Sequence, residues 1–176
     1  MMRLFIFPLI LVFQSSMLIF QFNSDSNIDN WRILDDVVMG GRSSGEFKLN
    51  DQGIGEYSGD VSLENNGGFS SLRYYFDSVN SKDYNKFKLK IKGDGKTYQF
   101  RVKDRRYNRY SYIYKFETSG EWQTIEIPFS AMYASFRGYR LDIPNFKGDQ
   151  MQEIAFLIGN KKKESFKLLI ESISLE

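Results

Sequence analysis

The chain reads as an all-β protein built as a two-sheet antiparallel β-sandwich. Three observations predict this. Period-two alternation of apolar and polar residues recurs in short segments from Trp31 onward. Turns rich in Gly, Asn and Asp separate those segments. Helical patterning is confined to Ser130–Phe136, too short to stand alone.

Lys86-Phe87-Lys88-Leu89-Lys90-Ile91-Lys92 sets the pattern. Phe87, Leu89 and Ile91 share one face and four lysines the other, so the strand has one dry and one wet side. Gly93-Asp94-Gly95 follows as a turn, and Thr97–Lys103 alternates again, with Tyr98, Phe100 and Val102 inward and Gln99, Arg101 and Lys103 outward. The pair reads as a hairpin. Ser70–Phe76 matches it, with Leu72, Tyr74 and Phe76 inward and Ser71, Arg73 and Tyr75 outward. Further strands are expected at Glu46–Leu49, Glu56–Leu63, Tyr110–Glu117, Glu121–Ile127, Glu153–Ile158 and Phe166–Leu175. Ile154–Ile158 is apolar on both faces and reads as a central strand covered on each side. Roughly nine to eleven short strands at this spacing indicate a sandwich, but alternation does not separate a jelly-roll from an immunoglobulin-like order.

At 176 residues the chain suits one domain with a real core, and its 16 Phe and 11 Tyr supply large apolar side chains. It contains no His and no Cys, which removes Ser-His-Asp triads, thiolate nucleophiles, Cys/His zinc sites and disulfides. A formal net charge of +2 makes no case for nucleic acid or an anionic membrane. Carboxylate chemistry, oxygen-ligated cations and ligand binding remain open.

The N-terminus reads as a targeting segment. Arg3 precedes an apolar run, Leu4–Phe13, of signal-peptide length, and Ser24-Asp25-Ser26 offers a small-x-small cleavage site. Residues 1–26 are therefore expected to be a signal peptide or, if uncleaved, an N-terminal membrane anchor. A buried first strand is the weakest reading, because nothing alternates. Residues 27–176 then form the single β-sandwich domain of an exported protein, located in the periplasm or cell envelope.

Two segments stand out as candidate sites. Asp35-Asp36-Val37-Val38-Met39-Gly40-Gly41 and Asn65-Asn66-Gly67-Gly68-Phe69 each set acids or amides beside paired glycines, a composition suited to turns with positive φ and side-chain capping. Asp35 and Asp36 read either as oxygen ligands for calcium or as turn caps, and two adjacent acids rarely aim at one ion. Asn65 and Asn66 read as amides presented to a sugar or peptide, or as a hairpin loop. Tyr107, Tyr110, Tyr112, Tyr114 and Phe116 form the densest aromatic stretch, read as a stacking row or as core. Trp122 falls on the opposite face from Ile125 and Ile127, so it either returns to the core through a bulge or lies on a rim as a ligand platform. Lys161-Lys162-Lys163 reads as a solvated hairpin tip.

Trp31, the Asp35–Gly41 segment, Ser43, Ser44, Gly59 and Asn65–Ser71 together resemble the complex I intermediate-associated protein 30 domain. Gly93-Asp94-Gly95, Tyr98, Phe116, Trp122, Ile127-Pro128-Phe129, Arg137-Gly138 and Phe166–Ile170 continue the resemblance in order. It implies a galactose-binding-like β-sandwich of jelly-roll type, in a family whose mitochondrial members help assemble respiratory complex I and are not regarded as enzymes; the leader makes this chain a bacterial exported member. The chain departs from that pattern in its export-type leader and in Glu164-Ser165, where a Gly often precedes the last strand.

The resulting expectation is a non-catalytic binding module without cofactor or metal. It would hold a partner protein or carbohydrate through Asp35, Asp36, Met39, Asn65, Asn66, Phe69 and Trp122, with no nucleic-acid partner and membrane contact only through an uncleaved N-terminus. The alternatives are an assembly factor for a membrane respiratory complex, on resemblance alone, and a carboxylate-based glycoside hydrolase, which needs a spaced acid pair.

Overall fold

The computed structural model describes residues 15–176. Its strands are β1 (Met17–Gln21), β2 (Trp31–Asp35), β3 (Ser44–Leu49), β4 (Gly55–Val61), β5 (Ser70–Asn80), β6 (Lys86–Lys92), β7 (Thr97–Lys103), β8 (Ser111–Glu117), β9 (Trp122–Pro128), β10 (Tyr133–Phe136), β11 (Tyr139–Arg140), β12 (Gln150–Ile158) and β13 (Glu164–Leu175). They form two antiparallel sheets. The first runs β3-β4-β13-β6-β9, with β1 also paired to β13; the second runs β11-β10-β8-β7-β12-β5-β2. Fold class and strand alternation follow the sequence reading.

The connections do not. Gly93-Asp94-Gly95 is no hairpin: β6 lies in the first sheet and β7 in the second. Their apolar faces meet across the core, where the Phe87 and Phe100 rings lie 4.9 Å apart. Two neighbouring strands with equally strong dry faces pack face to face as readily as side by side, and alternation alone does not distinguish the two. Ser70–Phe76, extended to Asn80, pairs with β12 and β2 rather than with β7. The Lys161–Lys163 segment is solvated but also crosses between sheets, from β12 to β13. In place of a helix at Ser130–Phe136, a single 3-10 turn at Phe129–Ala131 leads into β10. β12 is central as expected, between β7 and β5.

The sandwich also starts earlier than position 27. β1 pairs with the end of β13, matching Met17 to Leu175 and Gln21 to Ser172. Beyond it, the Phe22 N–H donates to the Glu171 carbonyl at 2.9 Å. Phe22 is buried, its ring 4.5 Å from Phe20, 5.3 Å from Trp31 and 5.7 Å from Phe47. The first strand set aside at the sequence level is thus present over these residues. Alternation is hidden there because an apolar run precedes it and Leu18 faces solvent. Cleavage at Ser24–Ser26 would remove Phe20 and Phe22 from the aromatic cluster around Trp31; the Leu4–Phe13 part of the leader reading lies outside the described residues.

This arrangement makes Phe22 a sensitive position. Phe22→Ala is expected to cost about 3–5 kcal/mol in urea unfolding, the usual price of emptying a buried Phe site. A chain beginning at Asn27 is expected to melt well below one beginning at Ser16 in a calorimetric scan.

Candidate binding site

The Asp35–Gly41 and Asn65–Phe69 segments meet at one end of the sandwich, and a buried carboxylate joins them. β2 ends at Asp35, and a 3-10 turn covers Asp36–Met39, closed by Gly40 at φ 91°. Asp36 turns inward and is fully buried. Its Oδ1 accepts from the Ser43 N–H at 2.9 Å. Its Oδ2 accepts from Ser43 Oγ at 2.5 Å, the Gly68 N–H at 2.6 Å and the Phe69 N–H at 3.1 Å. Burial pushes the Asp36 carboxyl up, but the bonds from Ser43 Oγ, Gly68, the Ser43 N–H and Phe69 together outweigh it and hold the group below its ordinary range.

The paired glycines divide two tasks. Gly40 and Gly68 take positive φ, 91° and 138°. Gly41 and Gly67 instead make room for the carboxylate: a Cβ on Gly67 would lie 2.6 Å from Asp36 Oδ2, and one on Gly41 would collide with Asp36 Oδ1. Asn65 and Asn66 sit at φ 54° and 61°, the left-handed conformation that Asn tolerates.

Asp35 does a separate job. Its Oδ1 accepts from Ser70 Oγ at 2.5 Å and its Oδ2 from the Gly45 N–H at 2.8 Å, tying β2 and β5 of one sheet to β3 of the other. The two acids therefore do not converge on one ion: Asp36 caps loop N–H groups, whereas Asp35 ties strands and makes no side-chain cap on its own turn. Beside exposed Asn65 and Asn66, this end also shows apolar side chains to solvent. Val37, Val38 and Met39 are 60%, 67% and 62% exposed, and Leu63 is 46% exposed. An exposed Arg42–Glu64 ion pair at 3.0 Å flanks them.

The sequence profile described as Complex I intermediate-associated protein 30 (CIA30) matches residues 20–170, which include both clamped segments. The chain belongs to this family. It is 23% identical to the mitochondrial Complex I intermediate-associated protein 30 of Mus musculus, over 93% of this chain and 57% of that protein. It is 24% identical to the Drosophila melanogaster protein of the same name, over 68% of this chain and 48% of that one. The chain thus spans about half the length of these relatives. Among solved structures, the family 11 carbohydrate-binding module of the cellulosomal cellulase Lic26A-Cel5E of Clostridium thermocellum superposes with a TM-score of 0.71 at 19% identity, covering 93% of this chain and 95% of that one. The Clostridium thermocellum family 11 module in complex with a β-1,3-1,4-mixed-linked tetrasaccharide gives a TM-score of 0.66 at 20% identity, covering 88% and 93%. These likenesses show a shared two-sheet jelly-roll sandwich fold.

Elsewhere in this family member, the remaining expectations fall in different places. Trp122 opens β9 opposite Lys92 and is 38% exposed, so it lies on the rim and no bulge returns it to the core. In the aromatic stretch, Phe116 is core, Tyr112 and Tyr114 pack against it half-buried, and Tyr107 is exposed. Tyr110 and Tyr112 line an open pocket of about 780 Å³ together with Asp104, Arg105, Phe146 and Asp149. That pocket lies at the far end of the sandwich from the clamped segments. Sequence reasoning missed it because the Ile143–Gln150 segment that closes it carries no periodicity.

The clamp makes a pH-dependent prediction. A carboxyl held below its ordinary value stabilises the fold above that value and loses the effect as pH falls through the folded one. Asp36→Asn is expected to lower stability at pH 7 by about 2–4 kcal/mol, since it breaks a charge-assisted network and leaves buried N–H groups poorly paired. The gap between wild type and variant in urea titrations should narrow below about pH 4. A gap constant from pH 7 to pH 3 would show that the charge of Asp36 is not what matters.

Proposed function

We propose that the protein is a non-catalytic binding module that docks a partner protein on the tip formed by Val37, Val38, Met39 and Leu63. One observation carries this reading: three consecutive apolar side chains stand in solvent on a turn whose base is fixed by a buried, fully bonded carboxylate. An apolar patch on a preorganised support costs little ordering entropy on association, so its burial is retained as affinity. Asn65, Asn66 and Phe69 border the patch, and Asp35 and Asp36 serve it as positioning groups. Family membership supports a protein partner, since the relatives are named for association with complex I intermediates. Assembly of a membrane respiratory complex is the specific form of this proposal. The export reading belongs to it as well, with the leader confined to the sequence ahead of β1; the two relatives are named as mitochondrial.

A second reading, carbohydrate binding, is favoured by the outer face of the second sheet. There Arg106 lies 5.3 Å from the Tyr75 ring centroid and Arg140 lies 4.8 Å from that of Tyr133. The fold is shared with a module solved with a tetrasaccharide.

The tip is tested by Val38→Asp combined with Met39→Asp. Both positions are exposed, so melting should shift by no more than about 1 kcal/mol in stability. Photo-crosslinking from position 63 in detergent extracts should label a discrete protein with wild type and at least roughly tenfold less with the variant. Equal labelling by both proteins overturns the docking proposal.

A further inference from the structure

The strand register gathers cations on the outer face of the second sheet. Arg32 pairs with Arg73, Arg73 and Arg101 both pair with Ala155, Arg101 pairs with Ile113, and Ile113 pairs with Tyr133. Because Leu72, Tyr74, Phe100, Val102, Ile154 and Phe156 turn to the core, this whole row turns away from it. Arg73 and Arg101 thus stand two strand spacings apart, about 9–10 Å, across Ala155. In the next row outward, Glu153 pairs with Tyr75 on one side and Lys103 on the other.

Glu153 is the one acid in these two rows. It is 4% exposed and lies 3.5 Å from Arg73 Nη1. Among the described residues Arg101 receives no carboxylate; its Nε and Nη2 both donate to the neutral Gln99 Oε1, at 3.1 and 2.8 Å. Lys103 Nζ donates to the Asn108 carbonyl at 2.8 Å. Two polar atoms in this floor, Arg73 Nε and Ser71 Oγ, have no hydrogen-bond partner. Burial, then the charge of Arg73, pulls the Arg101 guanidinium down to about 10. Burial also lowers Lys103 and raises Glu153, the latter against the pull of Arg73, Lys103, Arg106 and Arg101. Partly buried cations crowd a single acid here, leaving an electrostatic deficit that an added anion would relieve.

From this geometry we propose that the outer face of the second sheet binds an acidic saccharide, with Arg73, Arg101 and Lys103 meeting its anionic groups and Tyr75 and Tyr133 its rings. The middle of a sheet face has its backbone N–H and C=O groups committed to the ladder, so it offers side chains and no strand edge. That disfavours an extended acidic peptide, which gains affinity by edge pairing. Sugar rings need only flat aromatic surface and side-chain donors. Carboxylates and sulfates both suit a guanidinium fork. This inference rests on the carbohydrate reading above and is independent of the apolar tip.

Isothermal titration of the full chain separates the outcomes. The probes are an oligogalacturonate, a sulfated heparin-type oligosaccharide, a neutral mixed-linked β-glucan tetrasaccharide and a polyglutamate of matched charge. The expected result is binding of one or both acidic sugars, weaker in higher salt. Arg101→Gln should weaken it roughly tenfold or more, as should Lys103→Gln with Arg106→Gln. The second variant touches less buried groups and decides the matter if the first fails to fold. Neutralising Lys161, Lys162 and Lys163 should leave binding unchanged. Binding of the neutral sugar alone keeps the carbohydrate reading and overturns the acidic one. Silence from all three sugars overturns both. Equal binding of polyglutamate, or equal loss on neutralising the three lysines, reduces the effect to nonspecific charge and overturns the proposal.

Discussion

A single buried carboxylate organises one end of this sandwich. Asp36 is taken out of water, a cost of several kcal/mol for an isolated ion, and recovers it through four hydrogen bonds that come from two separate stretches of chain. Ser43 lies just before β3, Gly68 and Phe69 just before β5, and Asp36 just after β2. Each segment would otherwise be a long loop with unpaired backbone N–H groups. The acid turns two crossovers, β2 to β3 and β4 to β5, into one rigid corner, and two glycines are required simply because a Cβ would occupy the space of its oxygens. Ser43 adds a second tie, with its Oγ also accepting from the Ser62 N–H at 3.0 Å.

Rigidity at the base is what gives the tip its meaning. Exposed Val, Val and Met on a floppy loop would collapse onto the nearest apolar surface or lose affinity to ordering entropy. On a turn closed by Gly40 and anchored by Asp36 they stay presented. The residues the sequence marks most strongly are thus the supports, while the exposed apolar surface consists of aliphatic side chains lodged between them.

Much of the fold was legible because one-sided burial writes itself as alternation. Over β6 and β7 the buried and half-buried positions alternate without a break, as the sequence pattern demands. Local patterning does not encode which strand lies beside which. That is why the β6–β7 turn looked like a hairpin, and why β1, whose pairing partner lies some 150 positions away, was absorbed into the apolar leader. The turn-capping reading of Asp35 and Asp36 was available from residue type alone; that one acid gathers two distant loops was not. Trp122 was ambiguous because facing is set by the register of β9 on β6, and only the pairing with Lys92 settles it.

Net charge is likewise silent about arrangement. A total of +2 argues against a strong overall field, yet the sum hides how the charges are arranged. The lysines of β6 stand on the outer face of the first sheet, where Glu126 and Glu176 pair with Lys86 at 2.9 and 3.3 Å and Glu176 pairs with Lys88 at 2.7 Å. On the outer face of the second sheet, among the described residues, the central cations face Glu153, with Asp104 beside Lys103. Arg73 and Arg101 lie 28 positions apart, on strands β5 and β7, which meet only through β12 between them. Each reads from sequence as an unremarkable outward position. Their adjacency, and the low-dielectric floor of Ala155 and Ile113 beneath them, arise only when the sheet closes. One sheet face is therefore neutralised and the other left electropositive within a chain of almost balanced composition, and this asymmetry gives the two faces different chemistry despite the same strand architecture.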